Sequence, residues 1–237
     1  MSTAVMPQIL SPKTEPVAPW PHTIILAIVF LGLAVVGAVF QRRASTHPLS
    51  TGSSHIVLYT SLIAMEYGLF RYVNAGLARR GVTMKNLIGG SWNSLGDVLR
   101  DAGLALGVWA IWFGVGRLWG HVFDPSQAAS IQAFLPRRPL EIALWIAVSI
   151  SAGISEEIAF RGYFQRQFGA LTGSRWAAVL LQAVLFGVGH GYQGVQAMVK
   201  IAVFGALFGA LAISRGSLRP GIMAHALGDI LSGIFGI

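Results

Sequence analysis

Apolar residues gather in seven stretches, 23–40, 55–77, 102–119, 140–160, 176–191, 195–213 and 219–236, separated by polar or basic connections. Most approach the ~20 residues that a helix needs to cross a hydrocarbon core, so the pattern predicts an all-α, polytopic bundle of about seven transmembrane helices. The last stretch is short and holds His225 and Asp229, which leaves it the least decided by hydropathy. Between the second and third stretches, Ile88, Trp92, Leu95 and Leu99 recur at helical spacing among Lys85, Asn93, Asp97 and Arg100. That pattern predicts a segment lying in the membrane interface. In the 121–139 connection, Asp124-Pro125 reads as the N-cap and first residue of a short surface helix, and Pro136-Arg137-Arg138-Pro139 as its stop. Gly205, Ala206 and Gly209 in the sixth stretch suit close helix packing.

Composition agrees with membrane burial: 54% of the residues are apolar and only 11% charged, against roughly 25% charged in an ordinary soluble domain. The chain is long enough for one such bundle, with residues 1–22 as a polar N-terminal tail, 23–237 as a single transmembrane domain, and the chemistry-bearing core at about 140–236. Gln41-Arg42-Arg43 follows the first apolar run directly, where a signal peptide would offer small residues for cleavage, so the first stretch reads as a retained span. The net charge of +8 comes from seventeen Lys and Arg residues spread between apolar runs. This distribution anchors loops and does not form a nucleic-acid surface. Counted by side, the basic residues favour an N-terminus inside and a C-terminus outside, with Arg42 and Arg43 counting against that orientation. The expected setting is an integral membrane protein of a bacterial cytoplasmic (inner) membrane, with the lipid bilayer as its partner. There is no cysteine, which removes disulfides, thiolate metal sites and cysteine nucleophiles together.

The fourth stretch places two adjacent carboxylates, Glu156 and Glu157, in a membrane helix, which is expensive and asks for a reason. Glu157 and Arg161 are four apart, in the favourable order for an ion pair, while Glu156 points about 100° away. The fifth stretch ends Phe186-Gly187-Val188-Gly189-His190, and the seventh holds His225 and Asp229 on one helical face. Measured along ideal helices from the side that carries the connections after spans four and six, Glu156 lies at ~18 Å, His190 at ~21 Å, Asp229 at ~16 Å and His225 at ~10 Å. These depths let all four meet in a cavity reached from that face. There Glu156 is a candidate general base for water. His190 holds the same water or binds a metal, and His225 donates to a developing oxyanion. Asp229 orients His225 or completes a ligand set. Spacing alone leaves hydrolysis and a proton or ion pathway as alternatives, and Glu66 and Arg71, five apart in the second span, keep the pathway in play.

The series Glu156-Glu157-x-x-x-Arg161, Phe186-x-x-x-His190 and His225-x-x-x-Asp229 resembles, in order and separation, the three-motif signature of the CPBP family of intramembrane proteases. This family, also called Abi or CAAX protease, includes prenyl-protein endopeptidases and bacterial proteins linked to bacteriocin processing and self-immunity. The resemblance covers roughly residues 140–236, and the run Ser155-Glu156-Glu157-Ile158-Ala159-Phe160-Arg161-Gly162 extends it. It implies an intramembrane endopeptidase acting on a peptide or membrane-anchored protein. Glu156 would be the water-activating carboxylate, His190 its partner, His225 and Asp229 the remaining catalytic groups, and Glu157, Arg161 and Phe186 supporting residues. The final motif position is often Asn in the family and is Asp229 here, which adds a charge or a ligand. The family carries a metalloprotease label, which makes zinc on Glu156, His190 and His225 one expectation. A metal-free glutamate mechanism is the other. A non-catalytic binding or immunity protein, or a proton or ion carrier, are the competing readings.

Overall fold

A computed structural model describes residues 15–46, 54–123 and 134–236; Asp124-Pro125 lies outside them. The chain is helical throughout, with no strand among the described residues. The helices are α1 (Trp20–Thr46), α2 (Ser54–Ala78), α3 (Met84–Ile88), α4 (Leu95–Val122), α5 (Pro139–Glu156), a π-helical stretch Glu157–Phe164, α6 (Gln165–Thr172), α7 (Arg175–Gly189), a 3-10 turn Gly191–Gln193, α8 (Val195–Arg215) and α9 (Arg219–Phe235). Each of the seven apolar stretches falls on a helix. Among the described residues four segments, Trp20–Val39, Leu95–Val122, Pro139–Thr172 and Val195–Arg215, are long and apolar enough to cross a membrane, and Arg175–Gly189 is apolar but shorter. The fold is an all-α membrane bundle. Its outer faces say the same: Ile28, Val35 and Val36 of α1, Leu106 and Leu118 of α4, and Leu180 of α7 are all more than half exposed, which suits lipid and would be a liability in water.

The centre of the bundle is the rod that α5, the π stretch and α6 form without a break. Every residue from Glu157 to Phe164 is buried. Against it pack α2, α7 and α9, while α8 pairs closely with α7, and α1 lies on α7 and the 3-10 turn. The α7–α8 contact is close because small residues face it: a Cβ at Gly205 would stand 2.9 Å from the Cα of Ala183, and one at Gly187 would press on the backbone of Met198. Buried glutamines complete the joint, Gln182 Nε2 donating to Gly205 O at 2.8 Å and Gln165 Nε2 to Gly209 O at 3.2 Å. Both use carbonyls that a water-filled interface would otherwise have to satisfy.

The interfacial segment expected across residues 85–100 is interrupted. Its periodicity is broken at Gly89 and Gly90, whose φ values of 94° and 87° lie in the left-handed region. α3 therefore ends at Ile88, and α4 starts afresh behind Ser94, whose side chain caps the N–H of Asp97 at 3.2 Å. α3 is pinned to the bundle end: Leu87 is fully buried against Gly162, and Ile88 O accepts the N–H of Leu218 at 2.9 Å. Nearby, fully buried Asp101 receives Arg215 Nε at 2.5 Å and Trp92 Nε1 at 2.8 Å, with Arg219 Nε at 3.4 Å. At the start of α1, the N–H and C=O of Ala18 bond Gln167, and His22 spends one ring nitrogen on Tyr163 Oη at 2.8 Å and the other on Tyr72 O at 3.1 Å.

Candidate active site

The adjacent glutamates on the central rod part ways. Glu157 faces inward at 1% exposure, 3.1 Å from the guanidinium of the fully buried Arg161, while the Glu156 side chain keeps 23% exposure. Arg161 is not aligned on Glu157 as a hydrogen bond, and its three nitrogens lack hydrogen-bond partners among the described residues. Ring faces surround it instead. Its guanidinium carbon lies 4.3 Å from the centroid of Phe186, 5.4 Å from Phe204 and 5.6 Å from Phe208. A desolvated contact of this type contributes about 2 kcal/mol or more. Phe204 and Phe208, one turn apart on α8, belong to none of the three motifs.

His225 on α9 ties the first motif to the third. Its Nδ1 stands 3.0 Å from Glu157 Oε1, and its Nε2 lies 3.8 Å from Glu156 Oε2 and 3.6 Å from Asp229 Oδ2. Glu157 thus fixes both Arg161 and the ring of His225, and leaves Nε2 turned towards the two more open carboxylates. α9 approaches the rod this closely because Gly221 and Gly153 lack side chains: a Cβ at Gly221 would sit 3.0 Å from Glu157 Oε2, and one at Gly153 2.9 Å from the backbone nitrogen of Ala226.

His190 caps the C-terminus of α7, and its Nδ1 meets Phe186 O at 2.8 Å. The second motif is therefore one hydrogen bond across a helical turn, which makes Nδ1 the donor and leaves Nε2 as an acceptor. The Phe186 ring stands between the two histidines, 4.7 Å from His190 and 6.3 Å from His225 between centroids. Asp229 lies within electrostatic reach of His190, as it does of Glu156. Glu156, His190, His225 and Asp229 accordingly share one region, with Glu157, Arg161 and Phe186 behind them.

In both His190 and His225, one ring nitrogen is held by an acceptor and the other is open. That division suits either a water or a metal. Among the described residues, however, no three His, Asp or Glu side chains are grouped as the ligands of one ion. Glu156, His190 and His225 are thus not gathered as one such ligand set among these residues.

Glu156 lines a lateral cleft of about 250 Å³ between α1 and α2, walled by Leu26, Val29, Phe30 and Leu33 on one side and Met65, Glu66, Leu69 and Tyr72 on the other. Glu66 also borders a groove of about 500 Å³ between α2 and α5, together with Ile63, Ala147, Ser151 and Ile154. Two groups at the site are absent from the three motifs. Glu66 interacts electrostatically with Glu156, Asp229 and His225, and Tyr192 in the 3-10 turn does so with Glu156 and Asp229. A carboxyl in the middle of an apolar span was the available signal for Glu66; Tyr192 carried none.

Neither the curated proteins nor the solved structures contain a match to this chain. Residues 138–231, which hold all three motifs, match the model of the family described as Type II CAAX prenyl endopeptidase Rce1-like, and this is the CPBP family that the motifs resemble.

Proposed function

We propose that the protein is an intramembrane endopeptidase that hydrolyses a peptide bond of a membrane-associated protein or peptide, with water activated by Glu156. The observation that carries this reading is the division of labour between neighbours: Glu157 is spent on Arg161 and His225, while Glu156 stays open to the cleft, 3.8 Å from His225 Nε2. In the reaction, Glu156 takes a proton from water and the oxygen attacks the carbonyl carbon of the substrate. With both ring nitrogens protonated, His225 donates Nδ1–H to Glu157 and turns its Nε2 N–H to the oxyanion that forms. When the tetrahedral intermediate collapses the C–N bond breaks, and Glu156 returns the proton to the departing amine. His190, held by Phe186 O, keeps Nε2 free to accept from the same water. Asp229 orients the ring of His225 from the side opposite Glu157.

The family description points to substrates of the CAAX type, and the apolar walls of the α1–α2 cleft suit a chain tethered in the bilayer. In a host without prenylated proteins, the same cleft would take another membrane-held peptide. A bacterial cytoplasmic membrane is the setting we propose. The test is cleavage of a peptide library by the purified protein in liposomes, run with Glu156→Gln and with a chelator. Loss in the variant alone supports a carboxylate base without metal, and loss in both supports a metal. Undiminished cleavage by the variant refutes the role of Glu156, and the absence of any cleavage by the unmodified protein favours an immunity or binding function.

A further inference from the structure

Glu66 lies outside the three motifs and outside the segment that matches the family model, yet α2 carries its carboxyl to the cleft that Glu156 lines. The residue is 6% exposed, and its Oε2 has no hydrogen-bond partner among the described residues. The Ser151 hydroxyl on α5 is the polar group beside it. Other buried carboxylates are occupied. Glu157 holds Arg161 and His225, Asp101 holds Arg215 and Trp92, and Glu141 accepts the N–H groups of Arg137 and Arg138. A buried carboxyl oxygen left without a donor is costly, and so asks what completes it.

The surroundings narrow the answer to a cation. Glu66, Glu156 and Asp229 act on one another electrostatically, and so do the imidazoles beside them. The charge of Arg161 is committed to Glu157 and three ring faces. Four carboxyl groups, Glu66, Glu156, Glu157 and Asp229, thus gather around Arg161 and His225. Apart from Glu66, Glu156 and Tyr72 the cleft is apolar, with Leu26, Phe30 and Leu33 facing Met65 and Leu69. This pairing of a hydrocarbon wall with a carboxylate fits a side chain that has a long apolar stem and a charged tip.

We propose that Glu66 is a substrate-binding residue that recognises a Lys or Arg side chain close to the scissile bond of a peptide lying in the α1–α2 cleft. The inference rests on the endopeptidase reading for the identity of the ligand, and it adds a preference that none of the three motifs encodes. The cation supplies the donor that Oε2 lacks and offsets the excess of carboxylates. The charged pair forms away from bulk water, where such contacts select strongly.

The test uses the full chain in lipid nanodiscs and a cleavable peptide in which Lys, norleucine or Glu is placed at each position in turn around the scissile bond. Cleavage gives kcat/KM. Binding to Glu156→Gln protein, followed by fluorescence anisotropy, gives affinity without turnover. At one or two adjacent positions, Lys should exceed norleucine by about tenfold, with Glu the poorest, and the difference should lie in KM. In Glu66→Gln the Lys-to-norleucine ratio should fall to near one, and in Glu66→Lys the Glu peptide should become the best of the three. Equal handling of Lys and norleucine at every position by the unmodified protein overturns the proposal without need of any variant. Retention of the Lys preference in a folded Glu66→Gln protein overturns it as well. Selective binding of the Lys peptide without cleavage would sink the endopeptidase reading and leave the role of Glu66 standing.

Discussion

Among the described residues two buried clusters join carboxylate to arginine, and they differ in how far their groups are used up by the protein itself. At the end formed by α4, α8 and α9, Asp101 is enclosed by Arg215, Arg219 and Trp92, and both of its oxygens have partners. In the interior, Glu157 and Arg161 are just as buried, but the set to which they belong ends in groups with capacity left over: the Nε2 of His225, the partly open Glu156 and the half-open Asp229. The first cluster joins helices, and its carboxylate is fully partnered even though Arg219 Nε and Nη1 have no hydrogen-bond partner among the described residues. The second sets a buried pair, whose guanidinium rests on ring faces without a hydrogen-bond partner, beside groups that keep open capacity. His22 teaches the same lesson, since it spends both ring nitrogens on the protein where His190 and His225 spend one each.

Substitutions can break this contrast. The largest effect is expected for Glu156→Gln, which should lower kcat by about 10²- to 10⁴-fold, as loss of a general base does, with little change in thermal unfolding. A comparable loss of stability would place Glu156 with the structural pair. Glu157→Gln should behave in the opposite way. It leaves the guanidinium of Arg161 without its carboxylate, a change that costs about 3–5 kcal/mol in a buried pair, visible as a lower unfolding temperature in detergent. Activity should fall too, because His225 loses its anchor. Asp101→Asn should destabilise by about 2–3 kcal/mol, since its arginines keep some access to solvent and the amide still accepts one bond. Its activity per folded molecule should be unchanged, and a selective loss of turnover would dissolve the distinction between the clusters. Smallest in its effect on turnover is Gly89→Ala. The left-handed conformation there costs a residue with a Cβ about 1–2 kcal/mol, and the new methyl would clash with the backbone at Gly216 O and Ser217 Cα, so a clear drop in unfolding temperature is expected with kcat per folded molecule intact.

Much of this was legible in the residues. Each of the seven apolar stretches falls on a helix, and four segments among the described residues are long and apolar enough to cross a bilayer, where helix is one of few ways to satisfy the backbone. The three i,i+4 spacings placed Glu157 with Arg161, Phe186 with His190 and His225 with Asp229 on common faces, and these contacts are present. What could not be read depended on direction or on distant partners. Gly89 and Gly90 interrupt an otherwise helical periodicity through positive φ, which hydropathy does not register. The partnership of Asp101 with Arg215 spans 114 positions. Glu66 and Arg71 sit on one span, but the first is buried beside the site and the second exposed, a difference set by packing on α5 that the second span alone does not reveal.

The π stretch from Glu157 to Phe164 has a consequence for the central rod as a whole. Its bonds reach back five residues, as from Gln165 N–H to Phe160 O, so the helix leaves the stretch with its angular phase slipped relative to an unbroken α-helix. α5 can thus aim Glu156 at the cleft while α6 independently aims Gln165 and Gln167 at α8 and α1, two orientations that one rigid screw would have coupled. Excising a single residue within the stretch would restore the common pitch, and would swing one of these faces about 100° out of register with the other.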